Sequence, residues 1–222
     1  MPDRKIDVLC RLLSDQIGDQ PVDDVLVVGC GSGHEAAFLA DYFSAKVVGI
    51  DLGGDFDPAA AAKADLRVMD ATDLELVDDS FDLIYSFHAL EHIDDPVKAL
   101  AEMERVIRPG GWFCVGTPNR SRLIGYLGSP TSLPNKVRWN LQDLGMRLRG
   151  KFRNEEGAHA GFTSEELAGM CQEAFGQATE VTDAYYAGLY GGGRGGPAVR
   201  LSTTTGLSRF IFPCVYFTGQ RA

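Results

Sequence analysis

The sequence lacks an apolar run long enough to cross a membrane. Its longest such run, from Phe210 to Phe217, is interrupted by Pro213, whereas a spanning helix needs about 18 apolar residues. The N-terminal residues Met1–Lys5 already include three charged side chains, and the apolar core of a secretory signal peptide is lacking. We therefore expect a cytosolic protein with at most peripheral contact to a membrane.

Paired cysteines are also absent. The five cysteines are scattered, with no Cys-x-x-Cys pair and no cysteine and histidine at metal-ligand spacing. We therefore expect reduced thiols packed in the core, and neither a disulfide framework nor a metal site. We also expect no Cys/His or Ser/His/Asp arrangement for nucleophilic catalysis. The cysteines are Cys10, Cys30, Cys114, Cys171 and Cys214.

Positive charge is scarce in the first half of the chain. Residues 1–110 carry 23 acidic against 9 basic residues, whereas residues 111–222 carry 8 against 12. Eight of those bases lie between Arg120 and Arg153, with Asp143 as the one acid. Because the net charge of −10 repels nucleic acid, we expect no nucleic-acid partner, and an anionic partner would be bound locally.

The first half alternates short apolar runs with helical patterns, which is typical of a parallel sheet wrapped by helices. The apolar fraction of 45% and charged fraction of 23% suit a globular domain. The pattern predicts a doubly wound α/β fold with a mainly parallel seven-stranded sheet. The predicted elements are helices over 3–17, 34–43 and 96–107, and strands over 25–28, 46–50, 66–69, 82–87 and 112–116.

The pattern changes after Thr117. Residues 118–160 predict a helical lid insert over the carboxyl ends of strands four and five. Apolar residues in a basic helix at about 136–151 recur there with helical spacing. They are Val137, Leu141, Leu144 and Leu148.

The C-terminal segment predicts one more helix and two strands. Thr163 with Glu166 forms the pattern of a capping box, which opens a helix ending near Phe175. Two stretches rich in β-formers, 178–186 and 210–218, are predicted to form an antiparallel pair at one sheet edge.

A glycine-rich loop follows the first predicted strand. Gly29-Cys30-Gly31-Ser32-Gly33 stands between that strand and a helix, where backbone N–H groups can approach a ligand. A plain turn that uses glycine for its geometry is the alternative interpretation. A dinucleotide fingerprint needs glycine at the sixth position, and His34 stands there.

An acidic residue ends the second predicted strand. In a doubly wound sheet, strands one and two are neighbours, so Asp51 would lie beside the glycine loop and could accept hydrogen bonds from ribose hydroxyls. A helix cap or a turn is the alternative role for such a residue.

Over about residues 24–118 the sequence resembles the class I S-adenosylmethionine-dependent methyltransferases, type 11. The resemblance rests on the order and spacing of several motifs after the glycine loop. They are Val48-Gly49-Ile50-Asp51-Leu52, Met69-Asp70-Ala71, Phe81–Pro96 (FDLIYSFHALEHIDDP) and Glu104–Gly111.

The resemblance implies a Rossmann-like methyltransferase domain that binds S-adenosyl-L-methionine and releases S-adenosyl-L-homocysteine. It divides residues 1–222 into an N-terminal helix (1–20), a cofactor-binding half (21–117), the lid insert (118–160) and a C-terminal part (161–222). The implied cofactor contacts are Gly29, Cys30, Gly31, Ser32 and Gly33 with methionine, Asp51 with ribose, Leu52, Asp70 and Ala71 with adenine, and Ser86 and Phe87 near the sulfonium.

Two features depart from the family pattern. Val27 stands where the family usually carries an acid ahead of the glycine loop, which removes one anionic partner for the cofactor's amino group. The segment between Asp51 and Asp65 is short, so the second crossover helix, built on Ala59–Lys63, is expected to be truncated.

Histidine is the usual base near neutral pH. His88 follows the fourth strand by one residue, and His159 precedes the capped helix. We take these two as the candidate catalytic residues, with an exposed loop position as the alternative for His159. His34 opens the helix after the glycine loop and is interpreted as a cofactor neighbour or a solvated residue, whereas His92 has either a structural or a functional role.

The function expected is methyl transfer to a small-molecule acceptor, by O-methylation of a natural product, a glycan or a lipid-linked substrate. The basic helix suits either a solvated lid or a surface for an anionic or lipid-linked acceptor. Two alternatives remain: an inactive cofactor-binding partner subunit, and a nicotinamide-dependent oxidoreductase.

Overall fold

The computed structural model describes residues 3–126, 131–154, 160–192 and 196–222. In chain order the elements are α1 (Asp3–Ile17), β1 (Asp24–Val28), α2 (His34–Phe43), β2 (Lys46–Asp51), α3 (Pro58–Ala61), β3 (Asp65–Val68), β4 (Phe81–Phe87), a 3₁₀ turn (Leu90–His92), α4 (Pro96–Val106), β5 (Ile107–Pro118), α5 (Leu133–Leu148), α6 (Ser164–Phe175), β6 (Thr179–Glu180), α7 (Thr182–Tyr190), α8 (Gly196–Thr204), α9 (Ser208–Ile211) and β7 (Cys214–Gln220).

The seven strands form one sheet in the order β3-β2-β1-β4-β5-β7-β6. β3, β2, β1, β4 and β5 are parallel, whereas β7 runs antiparallel to both β5 and β6. This confirms the predicted mainly parallel sheet with an antiparallel pair at one edge. The order reverses at β1 and β4, and a crevice opens outside the carboxyl ends of the strands at such a point.

The two faces of the sheet carry separate cores. Along β1, Val25 and Val27 pack in a core with α1, α2 and α7, whereas Leu26 and Val28 pack in a core with α4 and α6. Because helices cover both faces, β1 is apolar at every buried position instead of alternating.

The crossover between β2 and β3 is short, as predicted. Its helix α3 has four residues, and the Asp57 side chain caps it by accepting hydrogen bonds from the N–H groups of Ala59 and Ala60. The helix predicted after Thr163 is also confirmed, with both bonds of the capping box present.

The strand predicted over 178–186 is wrong beyond its first residues. Only Thr179–Glu180 is a strand, and α7 follows at once. Its buried residues recur at helical spacing and pack on the core beside α1. They are Thr182, Tyr185, Tyr186 and Leu189. The stretch 210–218 is likewise divided between α9 and β7, and α8 was not predicted.

The basic helix of the insert is α5, which begins and ends three residues earlier than predicted. None of its residues is buried. Its four apolar residues at helical spacing, from Val137 to Leu148, are between 51% and 81% exposed. A lid role for this insert stays a prediction. In the part of the chain described, no helix is both long and apolar enough to span a membrane.

A second side of α5, next to the apolar stripe, is attached to the connector before the helix. Arg122 forms an ion pair with Asp143 at 3.7 Å, and its carbonyl accepts a hydrogen bond from Arg147 at 2.7 Å. Arg147 also stacks on Phe152, 3.9 Å from the ring centre. The helix is therefore held with its apolar stripe toward solvent.

Candidate active site

A cleft of about 560 Å³ opens at the carboxyl ends of β1, β2 and β4. It occupies the place where the strand order reverses, which is where open α/β sheets bind ligands. Six of the residues predicted for the site line this cleft. They are Gly29, Asp51, Leu52, Asp70, Ala71 and His88.

The glycine loop follows β1 and meets the cleft at Gly29, and its three glycines all have positive φ. A Cβ on Gly29 would lie 2.2 Å from the Cβ of Ala89, and one on Gly33 would lie 2.3 Å from Leu66. A Cβ on Gly31 would meet no atom within 4 Å. Gly29 and Gly33 therefore permit close packing, whereas Gly31 leaves the open side of the loop free for a ligand.

The half-buried carboxylate of Asp51 is bound to two backbone N–H groups. Its Oδ2 accepts a hydrogen bond from Gly31 at 2.8 Å, and its Oδ1 accepts one from Gly53 at 2.9 Å. The carboxylate therefore holds the glycine loop against the end of β2. Each oxygen keeps a further lone pair that could accept from a hydroxyl in the cleft.

The adenine side predicted for the cleft contains an apolar residue and a structured acidic turn. Leu52 is 73% exposed at the cleft, a position from which it could cover a flat ring. Asp70 Oδ1 accepts hydrogen bonds from the backbone N–H and the hydroxyl of Thr72. These two bonds from Thr72 lower the pKa of Asp70. Ala71 follows as a buried residue.

Six predicted site residues among those described do not line the cleft themselves: Gly31 and Gly33 of the loop, and Cys30, Ser32, Ser86 and Phe87. Cys30 is buried, and burial raises the pKa of its thiol to about 11. Ser32 is exposed on the loop, and its carbonyl accepts a hydrogen bond from Asp57. Ser86 is buried, with no hydrogen-bond partner for its hydroxyl among the described residues. Phe87 stacks on Tyr216.

Carboxylates dominate the charged groups around the cleft. Asp51, Asp70, Asp94 and Asp95 line it, against one ammonium group, that of Lys98, among the described residues. This charge favours a cationic ligand and opposes a pyrophosphate group. The hydrogen-bond acceptors and the apolar rim suit a ligand that also carries hydroxyls and a flat ring.

His88 lines the cleft in a left-handed conformation, with φ of 55°. Its Nδ1 lies 3.3 Å from Glu91 Oε1, and its Nε2 lies 3.5 Å from Cys214 Sγ. Burial lowers the pKa of His88, but the contacts with Cys214 and Glu91 outweigh burial and raise it to about 10. His88 is therefore an imidazolium at neutral pH.

The fold brings a cysteine and a histidine into contact, which the sequence spacing did not predict. Cys214 is far from His88 in the sequence, but β7 pairs with β5 and thereby brings Cys214 opposite Pro118 at the same end of the sheet. Sequence spacing carries no sign of this contact. Glu91 follows His88 by three residues, which is the spacing of side chains that meet on one helical turn. The contact of His88 with Glu91 could therefore have been predicted from the sequence.

The other histidines have different surroundings. His92 lines the cleft with a half-exposed side chain, 3.9 Å from Glu91. His34 is exposed at the first residue of α2 and does not line the cleft. His159 lies outside the described residues.

The family pattern expects an acidic residue ahead of the glycine loop, at the position where this chain has Val27. Val27 is buried in the core. Glu35 in α2 is a carboxyl group not identified from the sequence. Burial raises its pKa to about 7, whereas the charges of His88, His34 and Lys5 act to lower it.

Comparison with known proteins agrees with the geometry of this cleft. The family model described as "Methyltransferase domain" matches residues 26–115. A probable S-adenosylmethionine-dependent methyltransferase of Mycolicibacterium smegmatis is 38% identical over 104 residues, which cover 44% of this chain and 38% of that protein. The tocopherol O-methyltransferase of Arabidopsis thaliana is 34% identical over 114 residues, or 47% and 33% of the two chains.

A ubiquinone biosynthesis O-methyltransferase of Thiobacillus denitrificans is 32% identical over 161 residues, which cover 66% of this chain and 67% of that protein. The chain thus spans only about a third of the length of the first two relatives but two thirds of this one.

Solved structures share the fold at low identity. A putative methyltransferase in complex with the Haloferax volcanii Trm112 activator has a TM-score of 0.59 at 17% identity, over 100% of this chain and 91% of that one. The geranyl diphosphate C-methyltransferase of Streptomyces coelicolor, solved with S-adenosyl-L-homocysteine, has a TM-score of 0.58 at 16% identity, over 97% and 77%.

Proposed function

The chain belongs to the class I S-adenosylmethionine-dependent methyltransferases of type 11, and on that basis we propose that it methylates an acidic oxygen of a lipophilic small molecule. The cofactor part of this proposal is supported by the acidic cleft at the point where the strand order reverses, where Asp51 is bound to the glycine loop. The acceptor half depends on His88 and α5.

The residues of the cleft fit S-adenosylmethionine, which is a cation with ribose hydroxyls and a flat purine. In this proposal Asp51 accepts hydrogen bonds from the ribose, and Leu52 packs on the adenine. Asp70 and Ala71 meet the adenine edge. The loop from Gly29 to Gly33 wraps the methionine part, and Ser86 and Phe87 lie toward the sulfonium. When bound, the cofactor supplies an electrophilic methyl group on a sulfonium.

The protein's contribution to such a displacement is position and charge. The carboxylates of the cleft would hold the cationic cofactor. The Phe87 ring packs edge-to-face against His88, at 4.2 Å between ring centres. Both ring nitrogens of His88 already contact Glu91 and Cys214. A charged His88 would therefore act on an acceptor oxygen through space, favour its anionic form and be unable to remove its proton. This favours an acceptor whose hydroxyl is more acidic than that of an alcohol, such as a phenol or an enol. His159 stays a candidate base.

The exposed stripe of α5 supports a lipophilic acceptor. Val137, Leu141, Leu144 and Leu148 form an unburied apolar face, and basic residues flank it. A basic amphipathic helix of this kind suits the surface of an anionic membrane, where a lipophilic acceptor would be dissolved. The acceptors named for relatives differ among themselves, and tocopherol and geranyl diphosphate are lipophilic examples.

The cofactor half of the proposal is tested by calorimetry with S-adenosylmethionine, S-adenosylhomocysteine and NADH. We expect micromolar binding of the first two, about −8 kcal/mol, and no binding of NADH, because the acidic cleft opposes its pyrophosphate. NADH binding without S-adenosylmethionine binding would favour the oxidoreductase alternative.

The acceptor half is tested by transfer of a radioactive methyl group from S-adenosylmethionine to a panel of phenols and alcohols, each with a short and a long alkyl tail. We expect turnover with long-tailed phenols above all others. Equal turnover of alcohols would contradict the role of His88. Cofactor binding with no turnover on any acceptor would favour the inactive partner subunit, a role that Val27 supports.

A further inference from the structure

We propose that Cys214, His88 and Glu91 form a thiolate–imidazolium–carboxylate triad, which makes Cys214 a reactive nucleophile and a site of thiol–disulfide exchange with small disulfides. The site lies beside the cleft. Its chemistry requires neither the cofactor nor an acceptor, so it does not depend on the proposed function.

The sheet brings the three residues together. Phe87 of β4 pairs with Gly116 of β5, and Gly116 pairs with Tyr216 of β7. His88 follows directly, with its backbone N–H donating to the Gly116 carbonyl at 2.8 Å. Cys214 is the first residue of β7, at the same level of the sheet. The imidazole therefore meets the thiol across β5, with 3.5 Å between Nε2 and Sγ.

Glu91 completes the arrangement on the other side of the imidazole. Its side chain is 2% exposed, and its Oε1 lies 3.3 Å from His88 Nδ1. Its second oxygen, Oε2, is buried without a hydrogen-bond partner among the described residues. A buried carboxylate needs a compensating cation, and an imidazolium at His88 provides one. A charged His88 in turn favours a thiolate at Cys214.

The cation that contacts the thiol is His88, whose Nε2 lies 3.5 Å from Sγ. The hydroxyls of Tyr186 and Tyr216 also interact with Cys214, and that of Tyr186 accepts a hydrogen bond from the Cys214 backbone N–H at 3.1 Å. Burial alone would raise the pKa of the Cys214 thiol, but the bond and charge of His88, with the bonds from Tyr216 and Tyr186, lower it. Tyr185 is a further titratable neighbour.

Carboxylates and a second imidazole surround the His88 side of the triad. Besides Glu91, the carboxyl group of Glu35 interacts with His88, and His92 lies 3.9 Å from Glu91. Carboxylates favour the imidazolium, which is the form that stabilises the thiolate.

The remaining cysteines provide an internal comparison. They are buried, and burial raises the pKa of the Cys10 and Cys171 thiols to about 12 and that of Cys30 to about 11, and raises that of Cys114 further. Cys214 is the half-buried one. A thiolate with some exposure, next to a cation, is the reactive kind of cysteine, whereas a buried thiol is inert.

Among the described residues, no group of three His, Cys, Asp or Glu side chains is placed to hold a metal ion. The cluster of Cys214, His88 and Glu91 therefore differs from a metal site.

In the exchange step the Cys214 thiolate attacks one sulfur of a small disulfide such as oxidised glutathione. A new S–S bond forms, the old one breaks, and one thiolate leaves and takes a proton from water. His88 keeps its proton throughout.

The test is the rate of alkylation by iodoacetamide between pH 5 and 9, measured for each cysteine by peptide mass spectrometry on the folded, cofactor-free chain. We expect Cys214 to react at pH 7 more than about tenfold faster than the buried cysteines, with an apparent pKa below the ordinary ~8.5. With oxidised glutathione, the mixed disulfide should form at Cys214 alone and be absent in Cys214→Ser.

His88→Gln should slow the alkylation of Cys214 at pH 7 by about tenfold or more, because an uncharged amide cannot stabilise the thiolate. His92→Gln is the matched control, because His92 also lies near Glu91 but is not a partner of Sγ, and it should leave the rate within about twofold. Glu91→Gln should slow the reaction in the same direction as His88→Gln.

An apparent pKa at or above the ordinary value in the wild-type chain would overturn the proposal, whatever the variants do. So would a rate unchanged by His88→Gln in a variant whose thermal melt shows a folded state. Because no methyl transfer is measured, an inactive methyltransferase with a reactive Cys214 would refute only the proposed function.

Discussion

Asp51 and Gly31 are joined by a hydrogen bond of 2.8 Å, in which the backbone N–H of the glycine loop donates to the carboxylate at the end of β2. The residue expected to hold the ribose therefore also shapes the loop expected to hold the methionine part. Binding and local structure depend on one side chain, and a substitution there affects both.

We predict that Asp51→Ala weakens S-adenosylmethionine binding by about 1–3 kcal/mol and lowers the stability of the cofactor-free chain by about 1 kcal/mol, because two backbone N–H groups lose their acceptor. Calorimetry and thermal melts measure the two effects. Asp57→Ala is the matched control, since Asp57 accepts from two backbone N–H groups but does not line the cleft. It should reduce stability and leave affinity unchanged. Unchanged affinity in Asp51→Ala would mean that the ribose is held elsewhere.

The glycines of the loop are expected to respond differently to alanine. Gly33→Ala should destabilise the chain by more than about 2 kcal/mol, because its Cβ would overlap Leu66 at 2.3 Å and its φ is 90°. Gly31→Ala has open space around its Cβ, so it should cost only the backbone strain of about 1 kcal/mol. It should, however, weaken cofactor binding. Denaturation and calorimetry on both variants distinguish packing from ligand contact, and equal destabilisation would contradict this division.

The first half of the fold could be predicted because its physics is local. A strand buried on both faces is an apolar run such as Val25–Val28, and glycine marks the turn that follows it. The positions of Asp51 and Asp70 follow from strand ends in a parallel sheet. Their bonds to Gly31 and Thr72 depend on loop geometry, which the sequence pattern does not express.

The second half of the fold was harder to predict, because its residue composition favours strands where its apolar spacing is helical. The tyrosines of α7 favour a strand by propensity, but Tyr185, Tyr186 and Leu189 have helical spacing and pack on the core. Tertiary packing outweighed propensity there. The contact of Cys214 with His88 needs the insertion of β7 between β5 and β6, a long-range pairing.

Glu35 predicts a pH dependence of stability. Its folded-state pKa of about 7 is raised above its ordinary value, mainly by burial, so folding opposes its ionisation. Below about pH 4.3, Glu35 is protonated in both states and its full contribution to the free energy of unfolding is present. As the pH rises to 7 this contribution is lost, and the free energy of unfolding falls by up to about 3 kcal/mol. Glu35→Gln should therefore gain stability relative to the wild-type chain between pH 5 and pH 8, measured by urea denaturation.

The control for this measurement is Glu173→Gln, on the exposed side of α6. Its difference from the wild-type chain should be the same at both pH values. A Glu35→Gln difference that does not change with pH would mean that the carboxyl group is solvated in the folded state.

The last prediction concerns the two kinds of arginine on and after α5. Arg147 stacks on Phe152 and donates to the Arg122 carbonyl, whereas Arg149 and Arg153 are exposed. Arg147→Gln should therefore lower the melting temperature, at a cost of about 1 kcal/mol. The double variant Arg149→Gln/Arg153→Gln should leave the melt unchanged, because exposed charges contribute little to folding.

For binding to anionic vesicles, Arg149→Gln/Arg153→Gln should have a larger effect than Arg147→Gln. If the apolar stripe of α5 lies on a lipid surface, the double arginine variant should weaken co-sedimentation with phosphatidylserine vesicles, by about 1 kcal/mol per charge removed. Leu144→Gln/Leu148→Gln should weaken it on neutral vesicles as well, since these side chains would supply the buried apolar area. Raising the salt concentration should weaken binding of the wild-type chain more than binding of the double arginine variant, because the variant has fewer charges to be screened. Vesicle binding that is insensitive to both pairs of substitutions would leave α5 as a solvated helix, and the lipophilic acceptor would then need a different entrance to the cleft.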